Sequence, residues 1–559
     1  MQRGARLAVC LAAGLSAAGC TTPAAPPAPQ TANAYANFLV GRLADLQQDH
    51  SAAADHYYEA LERDPADPDL IEGALSAALA AGEEDRARSI AAMAHSRHIA
   101  SAHASMVRAA DALVANRWRQ ARDEALRVRG GVSDELAQHV LLLWARTGEG
   151  HLQEGFSQIG EAASAEPFTG LFAYQRAMAL DYAGRTTEAL AVYQEAEHGG
   201  LWLPSGIERH ADLLARTGAK DQALEILRRA DGRENNPVLA ADARRLTEHG
   251  ALDLSPLTPA RGAAIGLYGA SAILLQQSEA ADGLAAITLA LMLDPGLDSA
   301  RLSYAEAQVN LGHSAEAREA LSHISENSVL SESARVMDAW VLLGEGKVQD
   351  AIDLARNNAQ GGGLRARRAL ADIERSSGRY ADAEPLYTAL VAEQPNDWKL
   401  YFARGAARER LHRWSDAEAD LRRALELSPE QPEVLNYLGY SWIDRGEHLD
   451  EGLTMVQHAA EIRPHSGAII DSLGWAYFKL GRFDDAVTYL ERAAELTPAD
   501  ATVNDHLGDA YWRVGKRIEA RFQWRQALAQ HDTDMDQAAL EQKIAEGLPP
   551  LPASRSAHR

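Results

Sequence analysis

Along most of the chain, apolar residues recur every three or four positions, and short polar or glycine-containing turns interrupt them. The stretch "DSLGWAYFKLGRFDDAVTYLERAAELTP", Asp471 to Pro498, shows the pattern. It predicts two amphipathic helices around a Leu-Gly-Arg turn. Gly474 falls midway along the first predicted helix, Gly481 in the turn and Ala486 in the second, and Pro498 closes the unit. Small residues at Gly474 and Ala486 let the two helices cross closely. Gly481 supplies the backbone freedom of a helix end, and Pro498 cannot continue a helix.

The unit repeats. Gly405, Gly439, Gly474 and Gly508 are separated by 34, 35 and 34 residues, and Pro395, Pro429, Pro464 and Pro498 keep the same spacings. The small residue of the second helix can be followed back at Ala53, Ala87, Ala121, Gly155, Ala189 and Ala223, each 34 after the last. After a gap of 60 it resumes at Gly283, Ala317 and Ala351, and continues through Ala383, Ala417, Gly452, Ala486 and Ala520, giving fourteen candidate units. A helix-turn-helix period near 34 with small residues at these positions resembles the tetratricopeptide repeat (TPR) family. The resemblance implies an all-α fold, a TPR superhelical solenoid. Helices of about 12–15 residues are marginal alone in water, so each unit must bury a face on its neighbours.

Two stretches break the pattern. "GRENNPVLAADARRLTEHGALDLSPLTPARG", residues 232–262, reads as one helix followed by an extended connection, either a degenerate repeat or a joint between two solenoid segments. "NNAQGGGLRAR", Asn357 to Arg367, predicts a mobile loop at its glycine run. The expected organisation is a signal peptide at 1–19, a tether at 20–34, an N-terminal array at 35–231, the connection at 232–262, a C-terminal array at 263–530, and a capping helix and tail at 531–559.

In the TPR family the inner groove is lined mainly by the first helix of each unit. By resemblance, the groove positions are Glu433, Asn436, Tyr440, Ile443 and Asp444 around Gly439, and Ala468, Asp471, Trp475, Phe478 and Lys479 around Gly474. Around Gly508 they are Thr502, Asp505, Asp509, Trp512 and Arg513. Six of the ten tryptophans follow residue 397, which makes this end the stronger candidate for recognition, since aromatic anchors bring large contact area at low entropic cost. Trp475 and Trp512 either anchor a partner or pack between neighbouring first helices. The candidate groove residues are therefore Tyr440, Asp471, Trp475, Phe478, Asp505, Asp509 and Trp512. Some TPR domains clamp a carboxylate with Lys, Arg and Asn. The three aspartates here depart from that clamp and favour an apolar or basic partner segment.

Composition narrows the classes. The net charge of −24 is a poor match for nucleic acid, whose binding rests on Lys and Arg at phosphates, and argues against broad adhesion to anionic membranes. At the N-terminus, "MQRGAR" is basic and "LAVCLAAGL" is an apolar run too short to span a bilayer. The following "SAAGC" resembles a bacterial lipoprotein signal, with Ala17 where that family more often has Leu. The resemblance implies cleavage before Cys20 and lipidation of it. Thr21, rather than Asp, implies the outer membrane, facing the periplasm. "TTPAAPPAPQTAN" then suits an extended tether. Cys10 and Cys20 are the two cysteines, so a chain cleaved there keeps no disulfide pair and depends on packing for stability.

No catalytic constellation emerges. There is no His-Glu-x-x-His, and "LLGEGKVQD" has its Gly-Glu-Gly-Lys at a repeat turn without the Ser or Thr of a phosphate-binding loop. His95, His98 and His103 cluster, but without a nearby carboxylate or thiolate they read as solvated histidines rather than metal ligands. No cofactor, metal or enzyme activity is expected.

From Leu435 to Leu528 the repeats resemble large outer-membrane TPR lipoproteins, among them the adaptor that binds and activates a periplasmic C-terminal processing protease. The resemblance implies a scaffold for an envelope protein, such as that protease and its substrates. An assembly factor of the pilotin kind, for pili, secretin or polysaccharide export, is the alternative. The anchoring expectation is directly testable: a Cys20→Ser variant should lose its lipid and fractionate as a soluble protein. Unchanged dependence on detergent for extraction would remove the idea.

Overall fold

The computed structural model describes residues 30–160, 167–198, 202–234, 236–277, 279–530 and 535–550. The predicted signal peptide, Cys20 and most of the tether lie outside the described residues. Thirty helices, and no strand, occur among the described residues. The chain divides into two compact units, 1–334 and 335–559.

The first unit begins with six helix pairs: α1 Gln30–Leu46 and α2 His50–Arg63; α3 Pro68–Ala80 and α4 Glu84–Ser96; α5 Ala102–Val114 and α6 Trp118–Ala125. These are followed by α7 Val132–Gly148 and α8 Leu152–Gln158; α9 Thr169–Tyr182 and α10 Thr186–His198; α11 Pro204–Arg216 and α12 Lys220–Glu234. A single helix, α13 Pro237–His249, precedes two more pairs, α14 Pro259–Gln276 with α15 Ala280–Leu293, and α16 Asp298–Leu311 with α17 Ser314–Ser322. Next, α18 Ser331–Gly344 crosses the division and pairs with α19 Val348–Gly361. The second unit continues with α20 Leu364–Ser376, α21 Tyr380–Glu393, α22 Trp398–Arg410, α23 Trp414–Leu427, α24 Pro432–Arg445 and α25 Leu449–Ile462. It ends with α26 Gly467–Lys479, α27 Phe483–Leu496, α28 Ala501–Arg513, α29 Arg517–Ala529 and α30 Gln537–Glu546. Both units are all-α and built of stacked helix pairs.

All fourteen small-residue markers fall on the second helix of a pair, and all are buried. Their size is required by the crossing. A Cβ on Gly439 would stand 2.7 Å from the carbonyl oxygen of Gly452, and one on Gly452 would stand 2.8 Å from that of Gly439. At the turn between the helices, Gly481 has φ of 76°, which a side chain would strain.

The first unit departs from a plain array. Here α13 packs on α12, and residues 252–258 then form an irregular connection, with Leu252 buried and Asp253 at φ of 62°, leading into α14. The pair α14–α15 does not simply extend the stack. It lies against the first helices of earlier repeats, α14 on α5, α7 and α9, and α15 on α3 and α5. Three glycines one helical face apart make this possible. A Cβ on Gly262 would come within 2.1 Å of Trp144, one on Gly266 within 2.7 Å of Gln175 and Val140, and one on Gly269 within 2.8 Å of Leu171. In the same seam the Trp144 indole donates to Gln175 at 2.6 Å, both side chains buried. Every residue of α15 from Gly283 to Leu293 is buried. Beyond it, Tyr304 donates to the carbonyl of Ala80 at 3.2 Å, anchoring α16 to the end of α3.

The compact division falls at 334/335, and after residues 232–262 the pair α14–α15 packs back on the N-terminal repeats. Two expectations change. The glycine run at 361–363 forms only a two-residue link, Gly362 and Gly363, between α19 and α20, not a loop. His103 is not solvated: its Nδ1 lies 2.6 Å from Glu72 and its Nε2 4.0 Å from Asp134. Burial pulls this imidazole's pKa down, but Glu72, Asp134 and Asp282 outweigh it and hold it above the ordinary value. Those carboxylates come from α3, α7 and α15, the helices that meet around this ring.

The crossing makes a stability prediction. Ala486 is fully buried on α27, and Leu490 of the same helix already presses on Gly474. Ala486→Leu should cost about 1–3 kcal/mol through overpacking, mainly in adjacent repeats. Unchanged thermal unfolding would show that this crossing can relax.

Candidate functional site

The seven candidate groove residues separate into two groups. Tyr440 on α24, and Asp471, Trp475 and Phe478 on α26, form one with His506 of α28. The His506 ring stacks on Trp475 at 3.9 Å between centroids and 15° between planes. Phe478 also stacks on Trp475, at 4.6 Å and 7°, and meets Phe483 of α27 at 5.3 Å. His506 Nδ1–H donates to the Asp471 carboxylate, with both oxygens at 3.0 Å. The arrangement follows from the repeat: residues one period apart, Asp471 and His506, face each other across neighbouring first helices. Asp471 is buried, while Trp475, Phe478, Tyr440 and His506 are half-buried.

The rim of this platform is charged. Lys479 pairs with Asp444 at 2.9 Å, its ammonium 5.9 Å from the Trp475 ring centre, and both charged side chains are exposed. Tyr440 sits between Asp444 and Asp471. Burial, then the two carboxylates, raise its phenol pKa to about 12, so it stays a neutral donor. Asn436 donates to Ser472 at 3.2 Å, closing the α24–α26 seam beneath. The surface presents an aromatic stack with an exposed ion pair at its edge. It has the makings of a contact patch, with large rigid area and adjustable polar groups.

The second group, Asp505, Asp509 and Trp512, is enclosed by the chain itself. Lys543 of α30 reaches both aspartates, with Nζ 2.7 Å from Asp505 and 2.9 Å from Asp509. Asp509 also accepts from the Trp524 indole at 2.9 Å. Trp512 is only 8% exposed. Its indole donates to the Leu548 carbonyl at 3.2 Å, and Arg513 donates to that of Pro549 at 2.7 Å. The Arg517 guanidinium lies 3.8 Å over the ring, and Trp524 packs 5.4 Å away. Trp512 packs on α29 and on the segment after α30 rather than between neighbouring first helices. Asp505 and Asp509 share Lys543 as their partner within the fold. Two participants were not read from sequence: His506 lies off the expected groove positions, and Lys543 belongs to the cap rather than to a repeat.

Crossings at Gly or Ala in successive helix pairs, with side chains presented from the first helices, define a tetratricopeptide-type scaffold, a class built for protein–protein contacts. Compared with known families, residues 336–398, 368–432 and 402–465 match the model described as tetratricopeptide repeat, and 474–515 match a second TPR repeat model. These regions are tetratricopeptide repeats, and all of them lie in the second unit. Among curated proteins, the chain is 26% identical over 152 residues to the TPR repeat-containing protein PA4667 of Pseudomonas aeruginosa, a stretch spanning 27% of this chain and 26% of that relative. Among solved structures it is similar to a tetratricopeptide repeat protein of Parabacteroides merdae, at 16% identity and TM-score 0.38, covering 44% of this chain and 97% of that one. A chain of the APC/C hetero-tetramer Cut9–Hcn1 matches at 15% identity and TM-score 0.39, over 93% of this chain and 97% of that one. A thermophilic TPR protein of Thermus thermophilus matches at 20% identity and TM-score 0.30, over 33% and 98%.

The enclosure of the second group can be tested through Lys543. Burial lowers its pKa, but Asp509 and Asp505 outweigh this and raise it, while burial and Asp505 raise that of Asp509 against the pull of Lys543. Lys543→Met should leave two facing carboxylates and cost about 1–3 kcal/mol at neutral pH. A carboxyl group with a raised folded pKa binds its proton more readily folded than unfolded. The loss should therefore shrink as pH falls through that raised value. A stability deficit independent of pH, measured by urea unfolding, would contradict the assigned pairing.

Proposed function

We propose that the protein is a lipid-anchored TPR adaptor of the bacterial outer membrane, facing the periplasm. In this reading the second unit captures a partner polypeptide, a C-terminal processing protease in the first instance. The observation that carries the binding role is the half-exposed stack of Phe478, Trp475 and His506, with Tyr440 beside it and the Lys479–Asp444 pair at its edge. It lies within the region matching the TPR family, on first-helix faces such arrays use for contact. In the first unit the corresponding first-helix faces of α3, α5, α7 and α9 are covered by α14–α15. The lipid anchor is supported by the sequence around Cys20, and the protease partner by the resemblance of Leu435–Leu528.

The partner segment best suited to the platform carries an apolar or aromatic side chain to lie on the stack. Next to it should be a polar group able to exchange with the exposed Lys479–Asp444 pair. Asp471 is already satisfied by His506 and acts as a positioning residue for the stack.

Buried aromatic anchors commonly cost about 2 kcal/mol or more on truncation, roughly thirtyfold in affinity. Trp475→Ala combined with Phe478→Ala should weaken capture of the protease by about that factor, with helicity by circular dichroism retained. The purified wild-type protein should accelerate the protease and cleave nothing alone. Equal affinity of the double variant would place the partner elsewhere on the second unit. No binding by the wild type would remove the protease reading and leave a scaffold for a different partner.

A further inference from the structure

The first helix carries two apolar faces, and only one is used. Phe38 and Tyr57 pack at 5.9 Å, and Gly41 and Ala44 are buried in the α1–α2 seam. On the side turned away from that seam, Tyr35, Leu39, Leu43 and Leu46 follow one another at helical spacing, exposed by 64, 49, 54 and 78%. Val40 adds to the stripe at 43%. An array end normally carries a polar outer face, because no further repeat covers it. The last helix of the second unit, α30, fits that rule, since only Leu540 among its residues is buried. The outer face of α1 does not.

The stripe itself carries no charged residue, and the flank is balanced, with Glu59 of α2 accepting from Asn37 at 2.9 Å. Arg42 is exposed beside it. Among residues 34–46 the one carboxylate is Asp45, which is half-buried and accepts from the Tyr57 hydroxyl at 2.7 Å. Position adds a third argument, resting on the lipid-anchor reading above. Cys20 precedes Gln30 by ten residues, so a lipid on Cys20 would hold the start of α1 within about 35 Å of the bilayer. An uncharged apolar helix face, held that close to lipid, has the character of an interfacial helix.

We propose that α1 lies on the lipid surface, with Tyr35, Leu39, Leu43 and Leu46 inserted among the acyl chains and Arg42 at the headgroup phosphates. The helix thereby adds a second membrane contact to the acyl anchor and sets the orientation of the first unit on the bilayer.

The test uses a photo-crosslinking phenylalanine in place of Leu43, with the same residue in place of the exposed Thr488 as control. The full chain is taken from the cell envelope into vesicles of phosphatidylethanolamine and phosphatidylglycerol. In parallel, unacylated chain beginning at Cys20 is coupled through that thiol to a maleimide lipid in the same vesicles. The expected result is phospholipid adducts from position 43, several-fold above those from 488. Adducts in both preparations support the inference. Adducts only in the coupled preparation also support it, and show that the cell does not acylate Cys20. Absence of adducts even when coupled overturns it. Crosslinking of position 43 to a second copy of the chain, or to another protein, overturns it as well and identifies the stripe as a protein interface.

Discussion

Everything in this molecule depends on two helices passing one another at van der Waals distance. The crossing of Gly439 with Gly452 shows the constraint in its barest form, since each α-carbon faces the other's carbonyl oxygen with no room for a methyl group. Where the pair is Gly with Ala, as at Gly474 and Ala486, one methyl is admitted and Leu490 fills the remaining space. A close crossing leaves each helix pair thin, and a thin pair cannot enclose a core of its own. Its remaining apolar surface must be covered by the pairs before and after it. The stacking follows from that one contact.

Stacking first helices side by side creates a continuous inner face, and the fate of that face distinguishes the two units. In the first unit the chain covers it with α14 and α15. The three glycines of α14 are the counterpart of the repeat crossings: they let a helix lie directly on Trp144, Gln175 and Leu171, where an alanine at Gly262 would meet the indole. The result is a continuous core in which the repeats and their own occupant share buried surface. In the second unit the buried clusters are smaller and mostly confined to one or two repeats, and the aromatic residues around Trp475 remain half-buried. Covered first-helix faces suit a rigid body; half-exposed ones suit recognition.

The helix pairs were legible because the crossing leaves a mark that survives divergence. A small residue recurring every 34 positions identified second helices even in α8 and α17, where the helices are short. What the period could not reveal was the direction in which a pair packs. The marker resumes at Gly283, 60 residues after Ala223, and α14–α15 is indeed a helix pair, yet it packs back on α3, α5, α7 and α9 of the earlier repeats. The clue available was composition. "AAIGLYGASAILLQ" and "GLAAITLALML" are apolar around the whole helix, which a repeat with a solvent-facing side does not need. The connection at 252–258 likewise gave no sign that it ends one stack and starts a return. The expected groove residues lie on the first helices α24, α26 and α28, but side chains reaching in from outside the repeat, as Lys543 does, carry no periodic signal.

Trp475 and Trp512 show why position within a repeat does not decide function by itself. They stand in consecutive first helices, Trp512 one turn further along its helix than Trp475. Each repeat leaves its inner face for the next segment of chain to use or ignore. After α29 the chain turns back: α30 brings Lys543 onto Asp505 and Asp509, and residues 547–549 close over Trp512. The carbonyl of Leu548 satisfies the indole that a partner would otherwise have engaged. Among the described residues no such segment returns one repeat earlier, and the Trp475 stack keeps its exposed edge with an ion pair beside it. In an array of this kind the residues flanking the repeats decide which first-helix faces stay exposed as much as the repeats do.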